Sequence, residues 1–336
     1  MSNIMSAPLR GLKAALMAWI DSDAYSQHID EKHPHRINWL RCVPFLFLHL
    51  ACVGIVWVGW SPIAMVVCLA FFWLRMFAIT GFYHRLFAHR SFKTNRFWQF
   101  IFAVLGNSSC QRGPLWWASH HRKHHQHSDK PEDLHSPIQH GFWFSHVGWF
   151  LSDGGYKTDY TVIKDLEKFP ELRFLNRFDI LVPAIAAVLI FLLGEYLSAS
   201  YPELNTNGWQ MLVWGFFVST CILFHSTFTI NSLGHIWGSR RFETKDHSRN
   251  NPWFALLTLG EGWHNNHHRF AVSTRQGFYW WEVDITYYLL KIMSFFRIVS
   301  DLNPVPKRIL DEGRGIRSGT AKPSSRLVRK GLTREK

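Results

Sequence analysis

The sequence contains few cysteines. Five occur among 336 residues, and no two of them stand in a Cys-x-x-Cys spacing. They are Cys42, Cys52, Cys68, Cys110 and Cys221, and most of them lie within apolar stretches, which is typical of small buried side chains. This pattern excludes a thiolate-bound structural zinc site, an iron–sulfur cluster and a disulfide framework. Any electrons that the chemistry requires must come from outside the chain.

The sequence is also short of negative charge. It has 24 acidic residues against 37 basic ones, which gives a net charge of +13 and suits nucleic acid, an acidic partner or an anionic membrane surface. Aromatic residues make up 16% of the chain, with 17 Trp, and there are 20 His. These residues favour membrane-interface anchoring and metal binding, and we expect no nucleic acid partner. The first forty residues lack the cleavable apolar core of a signal peptide.

Four stretches are predicted to cross a membrane, because each contains about twenty mostly apolar residues. They are residues 42–60, 62–82, 179–197 and 208–229. The connections at 60–62 and 198–210 contain no Lys or Arg, whereas the remaining segments are rich in both. By the positive-inside rule, both termini and the central segment are expected to be cytoplasmic, with the spans in the inner (plasma) membrane.

The expected fold is an all-α integral membrane protein in which two helical hairpins carry a cytoplasmic helical cap. Residues 1–40 would form a cytoplasmic N-terminal segment, and residues 41–300 the main domain. Residues 304–336 are basic and rich in Gly, Ser and Pro, so they are predicted to be a disordered tail.

Three clusters of histidine follow the predicted spans. His84 and His89 lie in HRLFAH, and two further clusters share the spacing HxxHH. These are His121, His124 and His125 in HRKHH, and His264, His267 and His268 in HNNHH. Residues at i, i+3 and i+4 lie on one side of a helix, so their imidazoles can meet in one site.

Eight imidazoles exceed the needs of one tetrahedral ion, so two metals are expected. His84 and His89, five residues apart, do not share a face of a regular α-helix, which implies a bend, a helix end or a different metal for each. Imidazole suits iron, copper and zinc alike. A cluster beside membrane spans indicates a lipid substrate, and attack on an unactivated methylene requires a strong oxidant, which favours iron with dioxygen over redox-inert zinc.

The other histidines divide into two sets. Those near the clusters are candidates for orienting the ligands, as are two carboxylates. These candidates are His120, His127, His135, His146, Asp129 and Asp133. The rest are expected to be solvated or structural, namely His28, His33, His35, His49, His140, His225 and His247.

In these motifs the sequence resembles the membrane fatty-acid desaturases, specifically the bacterial type of the acyl-CoA Δ9 (stearoyl-CoA) desaturase-like group. The matching segments, in order, are TGFYHRLFAHRSFK, WWASHHRKHHQHSD, FSHVGW, FFVSTCILFHSTFTINSLGH and GEGWHNNHH. The resemblance covers roughly residues 40–300.

The resemblance implies a mushroom-shaped helical fold with two irons, dioxygen as co-substrate, and electrons from a ferredoxin or a b-type cytochrome with its reductase. It implies a ninth ligand, His235, and a metal-bound water held by Asn231. It also implies a bent acyl tunnel with Gln111, Trp117 and Thr227 at its kink. Phe72 and Met76 would close the tunnel, and the size of Met76 would favour sixteen-carbon over eighteen-carbon chains.

Two departures from the family pattern leave the acyl carrier open. Basic residues that contact the coenzyme A phosphates in animal members are replaced by LSDGGYKTDY, and His120 replaces an acidic residue. Acyl-CoA is the expected substrate, with acyl-carrier protein and membrane phospholipid as alternatives.

Two rival functions remain open. A di-iron lipid or alkane hydroxylase would differ in its product. A membrane metal transporter or sensor would place ionisable groups inside the spans, where only Arg75 and His49 or His225 lie.

Overall fold

The computed structural model describes residue 17, residues 19–25, residue 29 and residues 32–318. Throughout this part of the chain the regular structure is helical, and β-structure is limited to isolated bridges such as that between Ile37 and Ser152. The principal helices are α1 (Trp39–Val58), α2 (Pro62–Ala88), α3 (Arg96–Asn107), α4 (Pro114–His127), α5 (Pro170–Arg177), α6 (Leu181–Ser200), α7 (Gly208–His235), α8 (Pro252–Leu257), α9 (His264–Arg269), α10 (Ile285–Phe295) and α11 (Lys307–Ser318). Shorter helical segments are Ser22–Tyr25, Pro137–His140, Phe144–Gly148, Trp149–Leu151, Tyr160–Val162, Lys164–Glu167 and Pro202–Leu204.

Four of these helices, α1, α2, α6 and α7, are long and apolar enough to cross a membrane. The predicted all-α architecture with four spans is confirmed. The stretch with the shortest apolar run nevertheless forms a helix of 20 residues, α6. α2 and α7 continue beyond their predicted ends, to Ala88 and His235, and both extensions carry histidines of the predicted clusters.

Helix α7 is the centre of the bundle, because α1, α2 and α6 all pack against it. The α6–α7 contact is close at Gly194, where an added Cβ would lie 2.5 Å from the carbonyl oxygen of Asn207. α1 is mainly exposed, and its outward side chains are large and apolar, as at Leu50 and Trp57. Such a surface is suited to hydrocarbon.

A buried arginine connects two of the long helices. Arg75 of α2 is fully buried and donates hydrogen bonds to Ser219 and, at 2.7 Å, to Thr220, both on α7. It also reaches the carbonyl oxygen of Ser108, which follows α3. A charged group inside a membrane bundle requires such partners. Arg75 therefore links α2 to α7 and to the chain that follows α3.

The remaining helices form a cap at the end of the bundle where α2 and α7 finish. Its main core surrounds the last turns of α2, with Phe82 stacked on Phe102 of α3 at 3.9 Å between ring centroids. Gly106 of α3 lies against the ring of Tyr83, and no side chain would fit between them. The cap therefore holds the end of α2 rigidly.

The predicted disorder from residue 304 onward is wrong for the part of the tail that the structure describes. Residues 307–318 form α11, in which Ile309 is fully buried against Phe242 and Phe278. Arg269 of α9 forms an ion pair with Glu312 at 2.5 Å. The polar composition of the tail as a whole did not indicate that residues 307–318 form an amphipathic helix with an apolar face. Residues 319–336 lie outside the described residues, as do residues 1–16 of the predicted N-terminal segment.

Candidate metal centre

Nine imidazoles converge in two groups between the cap and the long helices. In each group, the candidate ligand atoms lie within 4.8 Å of one another. The first group, site A, contains His84, His89, His121, His125 and His267. The second group, site B, contains His124, His235, His264 and His268. The structure thus brings together all eight histidines of the three clusters and His235.

The repeated HxxHH spacing divides each cluster between the two sites. On α4, His121 and His125 face site A, whereas His124 faces site B. On α9, His264 and His268 face site B and His267 faces site A. The i and i+4 positions therefore share one site and the i+3 position serves the other, as expected for two adjacent metal sites between two helices.

The last part of α2 is a π-helix, from Ala78 to Ala88. Its hydrogen bonds join residues five apart, and the amide of His89 donates to the carbonyl oxygen of His84 at 3.1 Å. This places the two rings on the same side, 4.7 Å apart, within site A. The local distortion is the bend that the five-residue spacing implied, and it brings both histidines into the same group of candidate ligands.

Four carboxylates contact the Nδ1 atoms of ligand candidates. Asp133 lies 2.9 Å from His124, Asp129 2.8 Å from His235, Asp246 2.6 Å from His268 and Glu261 2.5 Å from His84. Because an ionised carboxylate only accepts hydrogen bonds, each Nδ1 donates, and in the neutral ring the Nε2 atom then presents a lone pair. Carboxylates in this position fix ring orientation and make the ligand more basic.

The electrostatics keep most ligand candidates neutral. Burial, reinforced by the neighbouring imidazoles, holds the pKa values of His121, His125 and His267 well below their usual range. Burial likewise lowers the pKa of His268 to about 4, although Asp246 opposes it. Burial alone would raise the pKa of Asp246, but the hydrogen bond and charge of His268, together with the hydrogen bonds from Ser248, outweigh burial and lower the pKa. Neutral imidazole is the form that binds a metal.

His124 is the exception. Burial alone would lower its pKa, but Asp133 outweighs burial and raises it. A metal at site B would take the place of that proton.

The site fits metal ions because its nitrogen atoms lack other partners. The Nε2 atom of His268 is buried and has no hydrogen-bond partner among the described residues. The Nε2 atoms of His235 and His264 face each other at 3.0 Å, and those of His84 and His267 at 3.1 Å. Since the Nδ1 atoms of His235 and His84 donate to carboxylates, lone pairs converge on common points, which is the donor set of a metal site.

Sequence reasoning missed Asp246 and Glu261. Glu261 stands three residues before His264 in GEGWHNNHH, so its position in the motif could have identified it. It also pairs with Arg85 at 3.1 Å, and Arg85 pairs with Asp284 at 2.9 Å. Asp246 carried no signal, because it lies 22 residues from its partner His268 in an irregular segment.

The other candidate orienting histidines occupy different places. His135 packs against the ring of His124, with centroids 4.4 Å apart, and its Nδ1 lies 3.3 Å from Asp133. His120 lies in the wall of a cavity, beside Trp116 and Trp149. His146 contacts Ser232 and His225, away from both groups, and His127 lies in the last turn of α4 outside both groups.

A cavity of about 440 Å³ leads to site A. Gln111, Trp117, Thr227 and Asn231 line it together with His121. The side chain of Gln111 donates a hydrogen bond to Thr227 at 2.8 Å, which joins the α3–α4 connection to α7 across the cavity. The volume lies within the range of small-molecule sites.

The structure places Phe72 and Met76 outside this cavity. Their four-residue spacing does put both on one face of α2, but that face packs against Leu223 and Leu259. The expected shortening of the tunnel by Met76 therefore has no counterpart in this cavity, whose walls include Cys110 and Phe216. The four-residue spacing correctly indicated that Phe72 and Met76 share a helical face. It gave no information about which residues that face contacts.

Comparisons with known proteins give the family. The family model for fatty acid desaturase matches residues 59–291. The chain is 34% identical to the sn-1 stearoyl-lipid 9-desaturase of Anabaena variabilis over 81% of this chain and 96% of that protein. It is 39% identical to the acyl-CoA C20 Delta5-desaturase of Anemone leveillei, over 72% and 74% of the two chains. It is 35% identical to the Delta-9 acyl-lipid desaturase 1 of Arabidopsis thaliana, over 81% and 85%. The chain belongs to the fatty acid desaturase family.

Proposed function

We propose that this protein is a membrane desaturase that introduces a cis double bond at the ninth carbon of a saturated acyl chain, using dioxygen and two irons. The observation that carries the proposal is the apolar cavity that ends beside two converging groups of imidazoles. The overall reaction removes two hydrogens from adjacent methylenes. Dioxygen, two external electrons and two protons balance it, with two molecules of water as the other product.

The nine histidines of sites A and B would hold the irons, with Asn231 acting through a metal-bound water. Bound there, a pair of redox-active metals supplies the oxidising power that attack on a methylene requires, which zinc lacks. Asp129, Asp133, Asp246 and Glu261 hold the imidazoles in the ligand tautomer.

The chain's own contribution is positional. The hydrogen bond between Gln111 and Thr227 crosses the cavity beside Trp117 and His121, and would bend the acyl chain there. A bent chain exposes one carbon–carbon bond in the eclipsed form that gives a cis product. Fixing the reacting atoms in this way is the main advantage that a binding site offers over solution.

The external electrons would come from a ferredoxin or from a b-type cytochrome with its reductase. The net charge of +13 suits such an acidic carrier. We place both termini and the metal centre on the cytoplasmic side of the inner membrane, as the distribution of Lys and Arg favours. Accessibility of cysteines introduced at the connection 201–207 and in the cap to a membrane-impermeant thiol reagent tests this orientation.

Two acyl carriers fit the metal centre equally well. Acyl-CoA is the carrier expected from the sequence motifs, and the relative from Anemone leveillei is named as an acyl-CoA desaturase. The relatives from Anabaena variabilis and Arabidopsis thaliana are named as desaturases of lipid-bound acyl chains. Both would present the same methylenes to the same site.

Lipid analysis of cells that express the chain tests the desaturase proposal. We expect cis monounsaturated fatty acids that are absent from control cells and from cells expressing His267→Ala. Hydroxylated fatty acids in place of monounsaturated ones would instead identify the hydroxylase alternative.

A further inference from the structure

The cavity has walls on two long helices that do not form a hairpin with each other, α1 and α6. Both pack on α7, and the cavity occupies the cleft between them. α1 contributes Pro44, Phe45, Phe47 and Leu48, α6 contributes Pro183, Ala184 and Ala187, and α7 contributes Phe216, Phe217 and Phe224. All of these wall residues are apolar.

The cleft opens sideways. Phe47 is 59% exposed and Ala184 is also exposed, although both line the cavity. Leu48 lies nine residues from the first residue of α1, or about 13 Å along the helix axis. The opening therefore faces the depth at which lipid tails lie if α1 crosses a membrane.

The mouth of the cleft, at the cap end of α1 and α6, carries two guanidinium groups. Arg41 lies over the ring of Tyr156 at 4.1 Å, and Arg112 lies over the same ring at 4.7 Å. Arg112 Nε donates to Asp179 at 2.6 Å, but its buried Nη1 has no hydrogen-bond partner among the described residues. Guanidinium groups held in this way suit a phosphate, which accepts paired hydrogen bonds.

The first part of the segment that resemblance associates with coenzyme A phosphates packs against residues 34–38. Asp153 accepts a hydrogen bond from the side chain of Asn38 at 2.8 Å, and its amide donates to the carbonyl oxygen of Arg36. The amide of Gly154 donates to the carbonyl oxygen of Pro34 at 2.8 Å. Ser152 and Asp153 are buried under this contact and Gly154 is half-buried, so this part of the segment offers no cation to a nucleotide phosphate, and Lys157 is the one exposed cation that the segment retains.

We propose that the substrate is an acyl chain of a membrane glycerophospholipid, which slides sideways from the bilayer through the cleft between α1 and α6. The lipid phosphate binds Arg41 and Arg112 at the mouth, and the acyl chain passes along α7 to the metal centre. This proposal rests on the proposed desaturase function and adds the carrier and the route.

Turnover of two matched substrates tests the proposal. Iron-loaded protein with an electron-donor system is placed in vesicles that contain phosphatidylglycerol with a deuterated stearoyl chain, or is given deuterated stearoyl-CoA in vesicles without stearoyl lipid, so that deuterium marks the product. We expect monounsaturated product from the phospholipid. Product from stearoyl-CoA alone would overturn this proposal and leave the desaturase function intact, whereas no product from either substrate would count against the desaturase function itself.

Replacement of two alanines of α6 by phenylalanine, one at a time, tests the route. Ala184→Phe fills the cleft and should reduce phospholipid turnover at least tenfold. Ala199→Phe makes the same change near the far end of α6, where the side chain is exposed and outside the cavity, and should leave turnover near that of wild type. Undiminished turnover of the phospholipid by Ala184→Phe would overturn the lateral route.

A binding measurement separates the route from catalysis. Metal-free protein in vesicles is irradiated with phosphatidylglycerol that carries a photoactivatable diazirine on its acyl chain. We expect labelling of peptides that contain residues 44–48 and 183–187, and weaker labelling in Arg112→Gln. Labelling confined to other exposed faces of α1 and α6 would contradict the proposal.

Discussion

The long helices and the cap are built on opposite principles. Outside the contacts with α7, helices α1 and α6 expose large apolar side chains such as Val56 and Leu189. In the cap, buried residues are often polar, and they satisfy one another, as when Asn266 donates to Glu282 at 2.8 Å. The first region depends on a lipid solvent and tolerates change on its outer faces. The second depends on hydrogen bonds between buried groups, so loss of one partner leaves the other buried and unpaired.

Removal of an imidazole from the cap should have the largest effect. In His267→Ala, which opens site A, and in His124→Ala, which opens site B, we expect turnover to be abolished while membrane insertion is retained, because the spans do not depend on metal. Iron content and fatty-acid product are the measurements. His127→Ala, on α4 but outside both groups, is the matched control. Retained turnover in His267→Ala or His124→Ala would remove that residue from the ligand set.

Substitution of two buried arginines, Arg85 in the cap and Arg75 among the long helices, compares the two regions directly. Arg85 at the end of α2 is paired with Glu261 and Asp284, so Arg85→Met strands two buried carboxylates and should destabilise the metal-free protein by about 3–5 kcal/mol. Arg75 has neutral partners, so Arg75→Met should cost less, about 1–3 kcal/mol. The free energy of unfolding in detergent is the measurement. A larger cost for Arg75→Met would reverse the comparison.

The carboxylates behind the imidazoles should have an intermediate effect. Asp246→Asn removes the acceptor that orients His268, and we expect iron at site B to bind about 10–100-fold more weakly, with site A unaffected. Release of iron to a chelator is the measurement. Asp301→Asn, at an exposed residue that pairs with the exposed Lys93, serves as the control. Equal iron release from Asp246→Asn and wild type would show that Asp246 does not act on the site.

The smallest effects concern chain length. Phe216 lines the cavity, so Phe216→Leu should make room for about one further methylene and favour eighteen-carbon over sixteen-carbon chains about fourfold, since burial of one methylene contributes about 0.8 kcal/mol. Met76→Ala should change this preference less than about twofold, since Met76 packs against Leu223 outside the cavity. Competition between the two chain lengths measures both. A shift caused by Met76→Ala alone would restore the assignment of Met76 to the tunnel floor.

The sequence predicts the membrane spans and the three clusters of histidine because both have local patterns. About twenty apolar residues indicate a helix that crosses a membrane, and HxxHH places imidazoles on one side of a helix whatever surrounds it. The i, i+5 pair His84 and His89 faces one site only because this part of α2 is a π-helix. The cap packs around this segment, and the five-residue spacing alone did not predict the type of distortion.

Other features depend on contacts between distant segments. Asp246 reaches His268 through an irregular connection, and α11 becomes ordered because Ile309 fills a gap beside Phe242. The neighbours of Phe72 and Met76 likewise follow from how α2 meets α7. Family resemblance supplied His235 and Asn231, which spacing alone marks weakly. Composition and periodicity carry no information about which distant residue completes a contact.

The most direct test of the account is the fate of two hydrogens. Iron-loaded protein, an electron-donor system and dioxygen are supplied with a stearoyl chain that carries deuterium at carbons 9 and 10, and the product is analysed by mass spectrometry. We predict a cis monounsaturated chain that has lost one deuterium from each of these carbons and has gained no oxygen. A hydroxylated chain, or the same product from protein that contains only zinc, would contradict a di-iron desaturase.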